Sequence, residues 1–160
     1  MATHSATIKW VNDRQFRSGK YSRAHEWRFD GGAVVRGSSS PAVVPEPMSD
    51  PFGVDPEEAL IASASSCHML WFLLLAQKAG LDVESYCDEA EGTMGKDERG
   101  RTAVTRITLR PDIAFTGAAP GPEELDRLHH EAHDKCFIAN SLRSEIVVEP
   151  AGARGSEGRS

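Results

Sequence analysis

Positive charge is in short supply in this sequence. Eighteen Lys and Arg face 24 Asp and Glu, giving a formal net charge of -6. That balance argues against nonspecific binding to nucleic acid or to an anionic membrane, because both reward clustered cations. Apolar runs are short: none reads as the roughly 18 residues that cross a bilayer. Met1 to Lys9 lacks the apolar core of a secretory signal. Cysteine is scarce and odd in number, with only Cys67, Cys87 and Cys136. Three thiols without a signal argue against an extracellular disulfide framework and fit a reducing cytoplasm. No glycine-rich loop joins a strand to a helix, so nucleotide binding has little support. Gly-x-Ser-x-Gly is absent, which disfavours a serine hydrolase. No internal repeat is present.

What remains is globular in composition, with 39% hydrophobic and 26% charged residues over 160 positions. One domain over 1–150 is expected, with a disordered Gly-, Ser- and Arg-rich tail over 151–160. Short strands are read at Ala6–Val11, Tyr21–Asp30 and Ala33–Arg36. In the second, Arg23 and His25 share a face with Tyr21, Trp27 and Phe29, which is unusual for a plain half-buried strand. Five of the nine prolines lie between Pro41 and Pro56, within a long loop over 37–55. Loops of that length are usually functional or disordered, so it is expected near a site.

Asp55-Pro56-Glu57-Glu58 reads as a helix start, with Asp55 as cap, Pro56 in first position and Glu58 closing a capping box. Gly80 is the stop. Met69 to Ala76 is apolar all round, which demands burial on every side. A chain of this size hardly surrounds such a helix alone, so a partner subunit is expected. Asp82–Met94 and Thr102–Phe115 read as a hairpin. A helix over Glu123–Lys135, a helical turn over Cys136–Leu142 and a strand over Ser144–Glu149 follow. The class is α+β with mostly antiparallel pairing.

Cys67 lies inside the long helix. It is either a small core thiol or a nucleophile, activated by cations such as Arg17, Arg23 or His68. His68 points about 100° away from Cys67 and is a poor candidate for its base. His129, His133 and Cys136 fall at i, i+4 and i+7, one stripe of a helix, and could hold zinc with an open position. A polar helix face is the simpler reading. Cys87 reads as packing, and Glu57 alone reads as a carboxylate at a helix N-terminus.

Two segments resemble the family of osmotically inducible protein C and organic hydroperoxide resistance proteins (OsmC/Ohr). Asp55-Pro56-Glu57-Glu58-Ala59-Leu60, running to Ser65-Ser66-Cys67, resembles the family's Asn-Pro-Glu-x-Leu segment with its cysteine ten residues after the glutamate. His133-Asp134-Lys135-Cys136-Phe137-Ile138-Ala139-Asn140-Ser141 resembles the segment around the second cysteine. The resemblance implies an OsmC-like fold, an intertwined homodimer with long buried central helices. It implies a thiol peroxidase in which Cys67 attacks an organic hydroperoxide and Cys136 resolves the sulfenate to a disulfide, recycled by a dithiol reductant. No cofactor and no metal are implied. Glu57 matches the family's glutamate. Arg23 is the choice for its arginine, with Arg17 as the alternative. His25, His68 and Trp71 are the candidate substrate-binding residues. His68 departs from the apolar residue usual after the first cysteine.

Ten helical residues put Glu57 about 15 Å from Cys67, too far for one guanidinium to touch both. A break near Ser63–Ser66 is therefore expected, or contacts drawn from two chains. Other functional classes stay open: a noncatalytic relative binding a small apolar ligand at the dimer interface, or the zinc protein.

Overall fold

Local chemistry fixes both ends of the long helix α1 (Pro56–Lys78). The Asp55 carboxylate accepts from the Glu58 N–H at 2.8 Å, and the Glu58 carboxylate accepts from the Asp55 N–H at 3.0 Å. This reciprocal pair is the expected capping box. At the other end Gly80 takes a positive φ of 78°. The Leu81 and Gly80 amides return to the carbonyls of Ala76 and Gln77, closing the last turn. The computed structural model describes residues 1–156. The chain gathers into two compact units, Met1–Ala59 and the part from Leu60 onward.

The first unit carries an antiparallel sheet of β1 (Ala6–Lys9), β2 (His25–Phe29) and β3 (Val34–Gly37), in that order. β2 is shorter than the expected Tyr21–Asp30 because the preceding backbone is engaged elsewhere. The Arg23 N–H goes to the Met48 carbonyl at 2.8 Å, and the Ala24 N–H goes to Ser22 Oγ at 3.2 Å. The proline-rich loop folds back on β3. Ser38 is buried and accepts the Asp50 N–H at 2.8 Å, while the Val54 N–H reaches the Arg36 carbonyl at 2.9 Å. An Arg36–Asp50 ion pair adds to the closure.

In the second unit the expected hairpin is present but divided. β4 (Val83–Asp88) pairs with β7 (Pro111–Phe115), and β5 (Glu91–Lys96) pairs with β6 (Thr102–Leu109), in separate sheets. Pro111 has no N–H to continue a ladder. The Asp88 carboxylate takes the neighbouring Arg110 N–H at 2.6 Å, which fixes the bend. α2 (Pro122–Lys135), α3 (Phe137–Ser141), β8 (Glu145–Val148) and β9 (Gly152–Gly155) follow. β8 lies parallel to β6, and β9 parallel to β7.

The strand β9 corrects the expectation of a disordered tail from Ala151. Composition reports on side chains, whereas the open edge of β7 needs backbone partners. The Ala151 and Ser156 amides supply two, bonding the Pro111 and Phe115 carbonyls at 2.9 Å each. Residues 157–160 of that tail lie outside the described residues.

Two cores bracket α1. Phe72, Leu75 and Ala76 pack with Ile113 and Phe115 of β7 and with Leu128 and Ala132 of α2. About two turns upstream of Phe72, Ala64 packs with Ile107 and Leu109 of β6. β5 approaches α1 so closely at Gly92 that a Cβ there would lie 2.5 Å from Ile61 Cδ1. The opposite face of α1 is uncovered among the described residues, with Leu70 60% and Leu74 40% exposed. By length and composition α1 does reach the threshold for a membrane span, at mean hydropathy 1.7, contrary to the expectation that no run does. The core helix of a soluble protein passes the same test, and 28% of this stretch of α1 is buried within the described residues.

Candidate active site

Cys67 sits midway along α1, half-buried. Ser65, two residues before it, donates its hydroxyl to Asp88 at the hairpin bend. That bond ties this turn of α1 to the bend between the two sheets. Cys136 ends α2 and begins α3, with an extended backbone at φ -68° and ψ 110°. It is only 1% exposed, and its sulfur accepts the Ala139 N–H at 3.4 Å. Burial pushes the Cys136 thiol up, and the neighbouring Cys67 thiol adds to that rise. The two thiols are therefore brought together from segments 69 positions apart. Cys87 is exposed on β4.

Aromatic and polar side chains flank the pair. Trp71 meets Phe137, the residue after Cys136, edge-to-face at 5.5 Å. The Lys135 ammonium stands 5.9 Å from the Trp71 ring. His68, 1% exposed, places Nε2 at 3.1 Å from Nδ1 of His129, itself 4% exposed, with the rings 9° from parallel. Phe72 stacks on His129 at 4.5 Å. Burial pulls His68 down to about 4, helped by the fields of His129 and His133, and burial alone pulls His129 to about 4. Both rings are thus neutral near pH 7, and one proton is shared across the Nε2–Nδ1 bond. Their outer nitrogens, His68 Nδ1 and His129 Nε2, have no partner within the chain among the described residues. The buried Tyr86 hydroxyl is likewise unpartnered and held well above its usual range, by burial first and Asp88 second.

Among the described residues the histidine stripe does not gather into a metal site. Among the described residues no three His, Cys, Asp or Glu converge as ligands. The reason is geometric: α2 stops at Lys135, so Cys136 leaves the helical stripe, while His129 turns inward to His68. Sequence reasoning placed His129 in that stripe and missed its bond to His68. It also missed Asp88 and Ser65. The usable signal was His68 itself, because a buried ring nitrogen on an apolar helix needs a partner.

The candidates of the first unit are engaged locally. Arg23 stacks over the Tyr21 ring at 3.6 Å and donates to the carbonyls of Gly19 and Tyr21. His25 Nδ1 lies 2.7 Å from the Arg23 carbonyl, and its Nε2 lies 2.7 Å from the Trp27 indole nitrogen. A carbonyl only accepts and an indole N–H only donates, so His25 donates from Nδ1 and accepts at Nε2. Arg17 is exposed in a 3-10 turn at Phe16–Ser18. Glu57 forms no ion pair within the chain among the described residues, and α1 runs without interruption through Ser63–Ser66. The expected break is absent: Ser63 satisfies its hydroxyl on the Leu60 carbonyl at 2.8 Å without interrupting the helix.

The family model for OsmC-like proteins matches residues 48–151, which include Cys67 and Cys136. The chain belongs to the OsmC-like family. An OsmC-like protein of unknown function from Vibrio cholerae is 48% identical, with a TM-score of 0.91 over 94% of this chain and 99% of that one. The peroxiredoxin OsmC of Escherichia coli (strain K12) is 26% identical over 97 residues, 61% of this chain and 66% of its own length. An organic hydroperoxide resistance protein from Elizabethkingia anophelis shares the fold, with a TM-score of 0.69 at 19% identity over 98% of each chain. The expected α+β OsmC-like architecture holds in this protein, and the family it shares includes a named peroxiredoxin.

Proposed function

We propose that this OsmC-like protein is a cysteine-based peroxidase that reduces organic hydroperoxides in a reducing cytoplasm. The observation that carries this reading is the asymmetric thiol pair. Cys67 is half-buried and can be reached, whereas Cys136 is sealed and held as a thiol. Cys67, as thiolate, attacks the terminal peroxide oxygen. The O–O bond breaks, the alkoxide leaves and takes a proton as the alcohol, and Cys67 becomes a sulfenic acid. The Cys136 sulfur then attacks Cys67 sulfur, its proton leaves with the hydroxyl as water, and a disulfide remains. A dithiol reductant restores both thiols by exchange and is itself oxidised.

The uncovered Leu70 and Leu74 support a homodimer in which a second copy covers this face of α1. Glu57 and Arg23 enter this reading as groups completed by that second copy, since a straight α1 separates Glu57 from Cys67 along one helix. Trp71, one turn after Cys67 on α1, is the proposed neighbour of the substrate, whereas His68 is sealed against His129.

The test is a count of free thiols before and after cumene hydroperoxide. Two of the three thiols are lost, and Cys67→Ser abolishes the loss. An unchanged count would leave a noncatalytic ligand-binding relative.

A further inference from the structure

His68 and His129 have no part in the chemistry just described, yet they are among the most buried polar side chains of the second unit. A buried neutral pair with one hydrogen bond between the rings and two idle outer nitrogens is a poor choice for stability alone. Two apolar side chains of similar volume serve a core as well or better. Its placement is informative. His68 follows Cys67 directly on α1. His129 lies on the buried stripe of α2 with Leu128 and Ala132, seven positions before Cys136. On the far side of Cys136, Phe137 meets Trp71 of α1. Cys136 is thus bracketed by two attachments of its chain segment to α1, and the residues receiving them, His68 and Trp71, stand one and four positions after Cys67. Of the two, only the histidine pair is directional. Apolar contacts tolerate sliding, whereas an N–H···N bond fixes both distance and angle.

We propose that His68 and His129 are positioning residues for the cysteine couple, holding α2 against α1 in the register at which the Cys136 sulfur meets the Cys67 sulfur. This rests on the reading of Cys67 and Cys136 as a redox couple. Proximity of this kind converts a two-body reaction into an internal one and is felt directly as effective concentration.

The experiment measures the equilibrium between dithiol and disulfide in glutathione buffers, with no peroxide present. Glutathione disulfide accepts two electrons and two protons, yielding two glutathione thiols and the Cys67–Cys136 bond. Cys87→Ser removes the bystander thiol from every variant. His68→Leu with His129→Leu removes both polar groups together and leaves no orphaned nitrogen. Its effective concentration falls tenfold or more, while its thermal midpoint stays near that of the parent. His68→Gln with His129→Asn puts amide groups close to the positions of Nε2 and Nδ1 and recovers the parent value to within about threefold. Should the Leu pair not fold, His68→Asn with His129→Gln, the same groups at the wrong reach, takes its place and shows the tenfold loss. An effective concentration unchanged in the Leu pair, or a Gln/Asn pair no better than the Leu pair, overturns the proposal. Absence of a Cys67–Cys136 disulfide in the parent overturns it as well. The peroxidase reading fails separately: no thiol loss with cumene hydroperoxide, alongside the expected glutathione result, sinks that reading and leaves this one standing.

Discussion

His25 and His68 solve the same problem in opposite ways. Each is an imidazole whose ring nitrogens need partners in a folded unit. His25 finds both partners within two residues of itself, the Arg23 carbonyl and the Trp27 indole. His68 finds its partner 61 positions away and leaves one nitrogen idle. The first arrangement is made by the strand that carries it. The second exists only once α1 and α2 have packed. Bonds of the first kind report on local structure, and bonds of the second kind report on the assembled core.

The comparison breaks most visibly at His68. His68→Ala removes a fully buried ring and strands His129, and we expect a loss of roughly 3–5 kcal/mol, read from urea unfolding. A loss under 1 kcal/mol would mean that the pair carries no packing. Next comes the close approach that makes the His25 arrangement fit. A Cβ on Gly37 would lie 2.4 Å from Trp27 Nε1 and 2.6 Å from His25 Nε2. Gly37→Ala should therefore cost about 1–3 kcal/mol, with faster amide exchange across β2 and β3 and none added in α1 or α2.

Acid sharpens the contrast further. His68 and His129 are held near 4, against an ordinary value of 6.5. Between those values the unfolded chain binds protons that the folded chain refuses, so stability falls as pH drops from about 6.5 to about 4. The urea midpoint should slope in that window, and the slope should flatten in the His68→Leu/His129→Leu protein. An equal slope in both would assign the acid sensitivity elsewhere. The smallest effect belongs to Trp27→Phe, which deprives His25 of one half-exposed hydrogen bond. About 1 kcal/mol is expected, confined to the first unit, with the thiol count after cumene hydroperoxide unchanged.

The same contrast explains what the sequence made legible. The start and stop of α1 were readable because every atom involved lies within a few residues: Asp55 with Glu58, and Gly80 with Ala76 and Gln77. The apolar girdle of Met69–Ala76 announced that cover was needed on all sides, and the uncovered Leu70 and Leu74 fit that reading. The pairing of thiols followed from a family resemblance, since nothing local at Cys67 or Cys136 names the other. The histidine stripe misled because its i, i+4, i+7 spacing holds only while the helix lasts, and α2 ends one residue before Cys136. The bend of the long hairpin turned on Asp88 capturing the Arg110 amide, a contact across 22 positions. The strand at Gly152–Gly155 answers the edge of β7, a demand made by residues forty positions upstream.

Cys136 carries a lesson for the design of controls. Its sulfur is the first acceptor of α3, receiving the Ala139 amide while its backbone closes α2. Alanine at this position deletes a helix cap together with a thiol, and any lost turnover would then have two explanations. Serine keeps an acceptor at the cap and removes only the redox chemistry. The choice of replacement at Cys136 thus decides whether a mutant speaks about sulfur or about the folding of the segment that holds it.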